Sequence, residues 1–572
     1  MRNREYNEIE SPRQWGYSGD ILERMLFPRT CLVLSLIAMC LPVKVVHAEI
    51  RFENVSAQSG ISFVLDNAAS AQKHLIESVP GGIAAFDYDG DGRIDLFFTN
   101  GAEIPSLRKS APRLWNRLYR NLGNLHFEDV TERAGLAGAG YSMGAAAGDF
   151  DNDGHTDLFV AGVRANHLYR NRGDGSFEDV TAKAGIGSAN WSVAPSFVDI
   201  DNDGKLDLFI ANYVKWSPDF DRYCGDRSRN LRVYCHPRYF AGTPGELYRN
   251  NGDGSFSDIS KSSGIAASIG KGMSVAVADV DLDGLPDIFV TNDSEPDFLF
   301  HNLGGGRFEE TGLIAGVAMS MNGRAISSMG ADLRDYDNDG LPDLIVTALS
   351  GETFPLFRNT GDATFADQTY ASGMAVASQR VSGWGAGFVD FDNDGWKDLF
   401  TANSHVNDRV EETESSRYEQ PNTVFRNAEG KRFLPVLNAG FAGAPAAHHG
   451  AVFADFDGDG RVDIAVSVLN GPAEVWRNLS PAAGNWIEFR LKGTRSNRDG
   501  IGARVEVDGQ WNHLSSSVSY ASSVIAPLHF GLGSAKVAKK VRIHWPSGAV
   551  QTLENLAANQ IHIVEESAPS NE

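Results

Sequence analysis

One nine-residue pattern, Asp-x-Asp-x-Asp-Gly-x-x-Asp, occurs seven times along the 572-residue chain. It reads DYDGDGRID (Asp87, Asp89, Asp91, Asp95), DFDNDGHTD (Asp149, Asp151, Asp153, Asp157) and DIDNDGKLD (Asp199, Asp201, Asp203, Asp207). It continues as DVDLDGLPD (Asp279, Asp281, Asp283, Asp287) and DYDNDGLPD (Asp335, Asp337, Asp339, Asp343). The last two copies are DFDNDGWKD (Asp390, Asp392, Asp394, Asp398) and DFDGDGRVD (Asp455, Asp457, Asp459, Asp463). The copies start 50 to 80 residues apart, a period that belongs to solenoids, propellers and arrays.

Each copy sits in a longer unit. A run of small residues precedes it, such as GGIAAF before Asp87 or SMGAAAG before Asp149. A short β-forming run such as LFFTN or LFVAG follows, too short for a helix. An aromatic-basic step comes next: LYRN at 118–121, 168–171 and 247–250, LFHN at 299–302, LFRN at 356–359, VFRN at 424–427 and VWRN at 475–478. A glycine turn and a strand like FEDVT (127–131, 177–181) complete the unit. Seven units of about four strands predict an all-β chain built on a seven-bladed β-propeller over 49–481. The last unit lacks its FEDVT-like strand, whereas Phe52–Ser56 has one with no unit before it. Residues 51–56 are therefore expected to complete the seventh blade. After Pro481 the repeat stops, and NWIEFRLKG (485–493), ARVEVDG (503–509) and VRIHWPSG (541–548) predict a separate small β domain over 485–566.

The aspartates point to calcium. Ca2+ takes six to eight oxygen ligands, and positions one, three and five of a tight loop can aim carboxylates at one centre. Position seven offers a carbonyl, and the glycine at six permits the turn. An EF-hand needs glutamate at position twelve. The first copy has Phe98 there, between strands, so Asp95 at position nine is expected to close the site. Mg2+ keeps its waters and rarely uses all-protein cages. All 28 aspartates are read as ligands of up to seven calcium ions, acting as structural clips. Seven near-identical copies supply no specialised catalytic constellation, and no nucleophile elbow, HExxH or phosphate loop appears.

Export fits this reading. Leu32 to Leu41 is a ten-residue apolar run, too short to span a bilayer, followed by the cleavage pattern Val46-His47-Ala48. Residues 1–48 are read as a signal peptide, with Met25 the expected start because it makes a compact signal. Lipid anchoring at Cys40 is disfavoured by Met39 before it. No membrane span is expected elsewhere. Of four cysteines, Cys224 and Cys235 remain in the mature chain, and one disulfide is expected of them, with zinc and His236 as the rival. A net charge of -23 argues against nucleic-acid partners.

These residues resemble the secreted cartilage acidic protein family and its bacterial relatives, with an FG-GAP/VCBS propeller like that of integrin α-subunits and a C-terminal ASPIC/UnbV domain. The loops, the LYRN steps and the runs NRDGIGARVEV (497–507), LHFGLG (528–533), VRIHWPSG (541–548) and VQTLENLAANQ (550–560) carry the resemblance. It implies secretion, calcium and binding, with positions one, three, five and nine as ligands in every unit. It implies no defined reaction.

Specific function is expected off the repeat. The largest departure, residues 212–246, holds the two cysteines with Arg222, Arg227, Arg229, Arg232, Tyr234 and Arg238. Arginines among aromatics can grip anionic or glycan ligands; the plainer reading is a disulfide-clipped insertion whose arginines pair with nearby aspartates. Met143, Met273, Met329, Trp384 and His449 each precede a loop by six residues and are expected to ring the channel mouth. His448 and His449, adjacent on a strand, point to opposite faces and make a poor metal pair. His405 stands alone in the NSHV turn. Arg172-Gly173-Asp174 is turn grammar, not an integrin-binding tripeptide. The chain thus reads as a monomeric, exported, calcium-stabilised, non-catalytic binding or adhesion module in the periplasm, outside the cell or on its surface. Its ligand is a protein or glycan. The alternative is an enzyme or biosynthetic accessory protein using the channel or the C-terminal domain.

Overall fold

A computed structural model describes residues 49–567, apart from 221 and 482. The signal peptide expected over 1–48 lies outside the described residues. Among the described residues no helix is long and apolar enough to cross a membrane.

The repeat region forms seven sheets, each holding one copy of the unit: six are four-stranded and antiparallel, and the first has its four antiparallel strands plus a fifth, parallel one. In the second, the inner strand Ser142–Gly148 pairs with Asp157–Gly162, which pairs with His167–Asn171 and then Phe177–Asp179. The loop thus joins the two innermost strands, and position nine begins the second. The seventh sheet takes its outer strand from the chain start: Phe52–Asn54 pairs with Glu474–Asn478, Phe52 opposite Asn478. Phe52 and Val55 are buried there with Phe441 and Trp476.

Small residues let the inner strands crowd. Each inner strand lies against the next, and Ile83–Phe86 of the first sheet lies against His448–Ala454 of the seventh. A Cβ at Gly144 would stand 2.2 Å from Val193 O, and one at Gly330 would stand 2.0 Å from Trp384 O. No larger residue fits at either place.

The C-terminal region differs from expectation. Its strands do form a β domain, with Asn485–Lys492 between Leu528–Gly533 and Ile561–Glu565 in one sheet. A second sheet holds Gln510–His513, Arg504–Val507, Val537–His544 and Val550–Ala557. It is not separate. The described residues make one compact unit, and the core that holds Phe489, Val505 and Ile543 also holds Phe197, Leu206 and Leu208 of the third sheet. Moreover, the run SSSVSYASS (515–523) is buried along the axis of the propeller. Ser523–Ile525 adds a parallel strand to Ile83–Phe86. Ala521 O accepts the Ala145 amide at 3.2 Å, and Ser519 O accepts the Ala331 amide at 3.3 Å. Tyr520 donates to Val79 O at 2.7 Å and packs against Trp384 at 4.9 Å between ring centres. Serine and alanine suit this path, since short side chains leave the backbone free to bond inner strands on several sides.

Closure through Phe52–Asn54 has a measurable consequence. Phe52→Ala is expected to cost about 3–5 kcal/mol, as for other buried phenylalanines. Deleting residues 49–58 should cost more, lowering the melting temperature in a thermal scan; an unchanged value would contradict the pairing.

Candidate metal centres and the axial mouth

The seven loops share one hydrogen-bond plan. Position one accepts the amide of the glycine at six: Asp87 Oδ2 from Gly92 at 2.9 Å, Asp149 Oδ2 from Gly154 at 2.7 Å, Asp455 Oδ2 from Gly460 at 2.7 Å. Position five accepts the amide at seven, as Asp91 Oδ1 does from Arg93 at 3.0 Å. The glycine at six is left-handed throughout, with φ between 82° at Gly460 and 94° at Gly284 and Gly395. Position four is left-handed too, and is Gly90, Asn152, Asn202, Asn338, Asn393 or Gly458 in six copies. In the fourth copy it is Leu282, with φ 63°, where a bulky residue carries strain.

Position nine is a lock. Asp95 Oδ1 accepts the Asn121 amide at 2.7 Å, and its Oδ2 accepts the Tyr88 amide at 2.9 Å. The same two bonds recur in every blade, down to Asp463 with Asn478 and Phe456. The partner asparagine ends the LYRN step, a role the sequence reading missed. Its side chain donates to its own loop and to the preceding blade's loop: Asn171 Nδ2 to Thr156 O at 3.1 Å and to Tyr88 O at 2.8 Å. Asn250, Asn302, Asn359, Asn427 and Asn478 each reach back one blade in the same way. Asn121 of the first blade reaches Phe456 O of the seventh at 2.9 Å. All seven asparagines are buried, and that recurrence at one position was the available signal.

The basic residue of the step bends over its own loop. Arg170 binds Asp151 at 2.5 Å and Asp153 at 2.7 Å, Arg358 binds Asp337 and Asp339, and Arg477 binds Asp457. The fourth blade has His301 instead, 3.1 Å from Asp287.

Carboxylates at positions one, three and five or nine converge closely enough to share one cation, as Asp87, Asp89 and Asp95 do, or Asp199, Asp201 and Asp203. Every loop also buries a carboxylate oxygen without a hydrogen-bond donor: Oδ1 of Asp87, Asp151, Asp201, Asp279, Asp335, Asp392 and Asp457. A buried acceptor left unpaired is rare and costly. Burial, then repulsion from neighbouring carboxylates, pushes Asp95 up to about 8, Asp199 to about 7 and Asp455 to about 6. Asp149 also reaches about 8, with Asp499 of the C-terminal domain beside it. A dense oxygen set with an unpaired member fits a hard cation such as Ca2+.

The C-terminal domain sits on this loop face. Position-four asparagines link successive loops, Asn152 Nδ2 to Gly204 O at 2.8 Å and Asn202 Nδ2 to Gly284 O at 2.6 Å. Asn338 and Asn393 do likewise. The link fails where position four is Gly90, Leu282 or Gly458. At two of these three gaps an arginine of the C-terminal domain takes the carbonyl: Arg504 at Gly340 O, 2.7 Å, and Arg490 at Gly92 O, 2.8 Å.

The opposite face carries the insertion. Cys224 and Cys235 form the expected disulfide. Arg222 and Arg238 stack on Tyr239, at 3.8 and 5.0 Å, and Arg227 and Arg232 lie over Tyr223. Arg229 donates to Glu412 O. Among the described residues the arginines thus engage aromatic rings and carbonyls, spread over Tyr223, Tyr239 and Glu412. Tyr234 lines the axial cavity instead. Met143, Met273, Met329 and Trp384 do ring the axis, buried in one core with Tyr520, and the buried His449 packs against Trp384 and Tyr520, so no open channel runs through them. His448 bonds Glu474 at 3.1 Å, whereas His449 bonds Pro80 O at 2.8 Å and stacks on Trp384. The two rings thus serve different partners. Asp174 of the Arg-Gly-Asp run accepts the Ser176 amide at 3.0 Å within its turn.

The FG-GAP-like repeat family model matches residues 87–160, 149–210, 239–290, 279–346 and 335–401, half of the chain in all. The ASPIC and UnbV family model matches 493–571. The chain is 27% identical over 319 residues to cartilage acidic protein 1 of Homo sapiens, covering 54% of this chain and 45% of that protein. To the Mus musculus protein it is 28% identical over 287 residues, covering 48% and 42%. The matched part spans less than half the length of these relatives. Among solved structures, an Agrocybe aegerita protein recognising non-reducing terminal N-acetylglucosamine is similar at TM-score 0.38 and 17% identity, over 69% of this chain and 87% of that one. YCF48 bound to D1 peptide is similar at TM-score 0.41 and 7% identity, over 75% and 96%.

Leu282 gives a direct check. Leu282→Asn relieves the left-handed strain and is expected to stabilise by about 1–2 kcal/mol in urea denaturation. It should also reduce the cost of Arg504→Ala, because an asparagine can then serve Gly340 O. Strict additivity of the two changes would contradict the shared role.

Proposed function

Because the chain belongs to the FG-GAP-like repeat family and carries an ASPIC and UnbV domain, we propose that it is an exported, calcium-stabilised propeller that works as a non-catalytic binding module. The unpaired buried carboxylate oxygen in each of seven loops carries this reading. Positions one, three and five would hold the ion; position nine, expected from the sequence as a further ligand, lies within reach of the same cation in several loops, although both its oxygens already accept amides. When bound, calcium supplies positive charge and a cross-link among oxygens that otherwise repel. The chain's own residues do the rest: the position-nine aspartate holds the loop to the third strand, and the arginine of that strand balances what charge remains.

Export is supported by the Cys224–Cys235 disulfide, since disulfides persist in oxidising compartments, and by the secreted character implied for its relatives. The likeness to cartilage acidic protein 1 supports an extracellular interaction role. The C-terminal domain occupies the loop face, so a protein or glycan partner would meet the opposite face, where the disulfide hairpin and its arginine–tyrosine stacks project.

Extracellular modules bind calcium at roughly 0.1–1 mM. At ten times the dissociation constant each site adds about 1.4 kcal/mol, so several sites match a typical fold stability of about 5–15 kcal/mol. Chelation with EGTA is therefore expected to lower the melting temperature by more than about 10 °C, restored by Ca2+ and not by equal Mg2+. A melting temperature indifferent to chelation would overturn the calcium reading.

A further inference from the structure

We propose that a cavity at the axial mouth, on the face away from the C-terminal domain, binds a small organic ammonium ion, with Asp293 and Glu352 as counter-charges and His405 as a hydrogen-bond donor. This deepens the binding-module reading by naming a ligand class. The cavity has a volume of about 300 Å³, at the lower end for small-molecule sites. Its floor is Met273, Met329 and Trp384, resting on the Tyr520 plug, and the hairpin's Tyr234 forms part of the wall.

Charge is one-sided here. Asp293, Glu352 and Glu414 line the cavity and no lysine or arginine does, among the described residues. The nearest lysines are spoken for: Lys271 pairs with Glu295 at 2.7 Å and Lys73 with Asp408 at 2.5 Å. Asp293 is held by Tyr213 at 2.6 Å and Ser294 at 2.9 Å. Glu352 takes the Ser327 and Leu349 amides on Oε2, at 2.9 and 3.3 Å, and its carboxylate lines the cavity. Burial raises both carboxyls above their ordinary range, and for Asp293 it outweighs the pull of His236, which also lines the cavity, and of Lys271.

His405 supplies an independent sign. It is 6% exposed and lines the cavity. Its Nδ1 accepts the Asn407 amide at 3.1 Å, and burial keeps the ring neutral by lowering its pKa. The proton then sits on Nε2, which has no protein partner among the described residues. A buried ring whose Nε2 has no protein partner among the described residues, beside acids without a bonded lysine or arginine and over an aromatic floor, suits an ammonium ion with a polar group beyond it. Aromatic faces add to the attraction for cations.

The test uses the calcium-loaded mature chain and two probes of one shape, phenethylammonium and neutral 2-phenylethanol, titrated calorimetrically. The ammonium ion is expected to bind at least about tenfold more tightly, a difference of about 1.4 kcal/mol. Glu352→Gln keeps the acceptor for Ser327 and should abolish that preference, with the melting temperature unchanged as its control for folding. Equal binding of the two probes, or no binding of the ammonium ion to the wild-type chain, would overturn the proposal. Melting temperatures with and without EGTA are taken on the same preparation: no ammonium binding to the calcium-loaded chain, with the melting temperature calcium-dependent, sinks the cavity alone, and ammonium binding with a melting temperature indifferent to chelation sinks the calcium reading alone.

Discussion

The carboxylate at position nine ties the molecule together. Its two oxygens accept one amide from its own loop and one from the third strand of the same blade, Tyr88 and Asn121 in the first. That second amide belongs to the asparagine whose side chain grips the neighbouring blade. One aspartate therefore sets the loop, the loop places a backbone carbonyl, and the asparagine of the following blade reads it. Repeated round the axis, this joins each blade to the one before it, including the first to the seventh. Burying so many acids near these contacts has a cost, visible in the raised carboxyls, and the proposed cations offset it.

The C-terminal domain completes what the repeat leaves open. Loops with asparagine at position four link to the next loop unaided, while Arg490 and Arg504 serve two places where glycine or leucine stands instead. Its serine-rich segment then fills the axis, where the inner strands present amides and carbonyls that need partners. A propeller with its axis filled and one face covered has one face left for recognition. The axial cavity and the disulfide hairpin both lie on that face.

Much of this was legible in the sequence. The seven aspartate loops, the four-strand unit, and Phe52–Asn54 as the outer strand of the seventh blade follow from periodicity and phase, because local turn chemistry repeats where tertiary context repeats. Cys224 and Cys235 followed from their number. The ring of Met273, Met329 and Trp384 was visible as equivalent positions, but what fills it was not. Tyr520 lies some 70 residues or more from any blade residue it touches other than through the domain interface, and SSSVSYASS looks like a polar loop. Nothing in its composition announces burial. The arginines around Cys224 looked like one cluster in sequence, yet a hairpin turns them outward onto Tyr223 and Tyr239. The asparagine of LYRN stands in an aromatic-basic step whose aromatic and basic members draw the eye, although a polar residue repeated at one buried position asks for a partner.

The central claim is that the seven loops hold cations against otherwise unpaired oxygens. A crystal structure of the mature chain grown in millimolar calcium tests it most directly. Density for an ion in the loops is predicted, about 2.3–2.6 Å from carboxylates at positions one, three and five, with the free oxygens of Asp87, Asp151 and Asp201 among its ligands. Loops holding only water, or closed by their own arginines with no ion, would contradict the account.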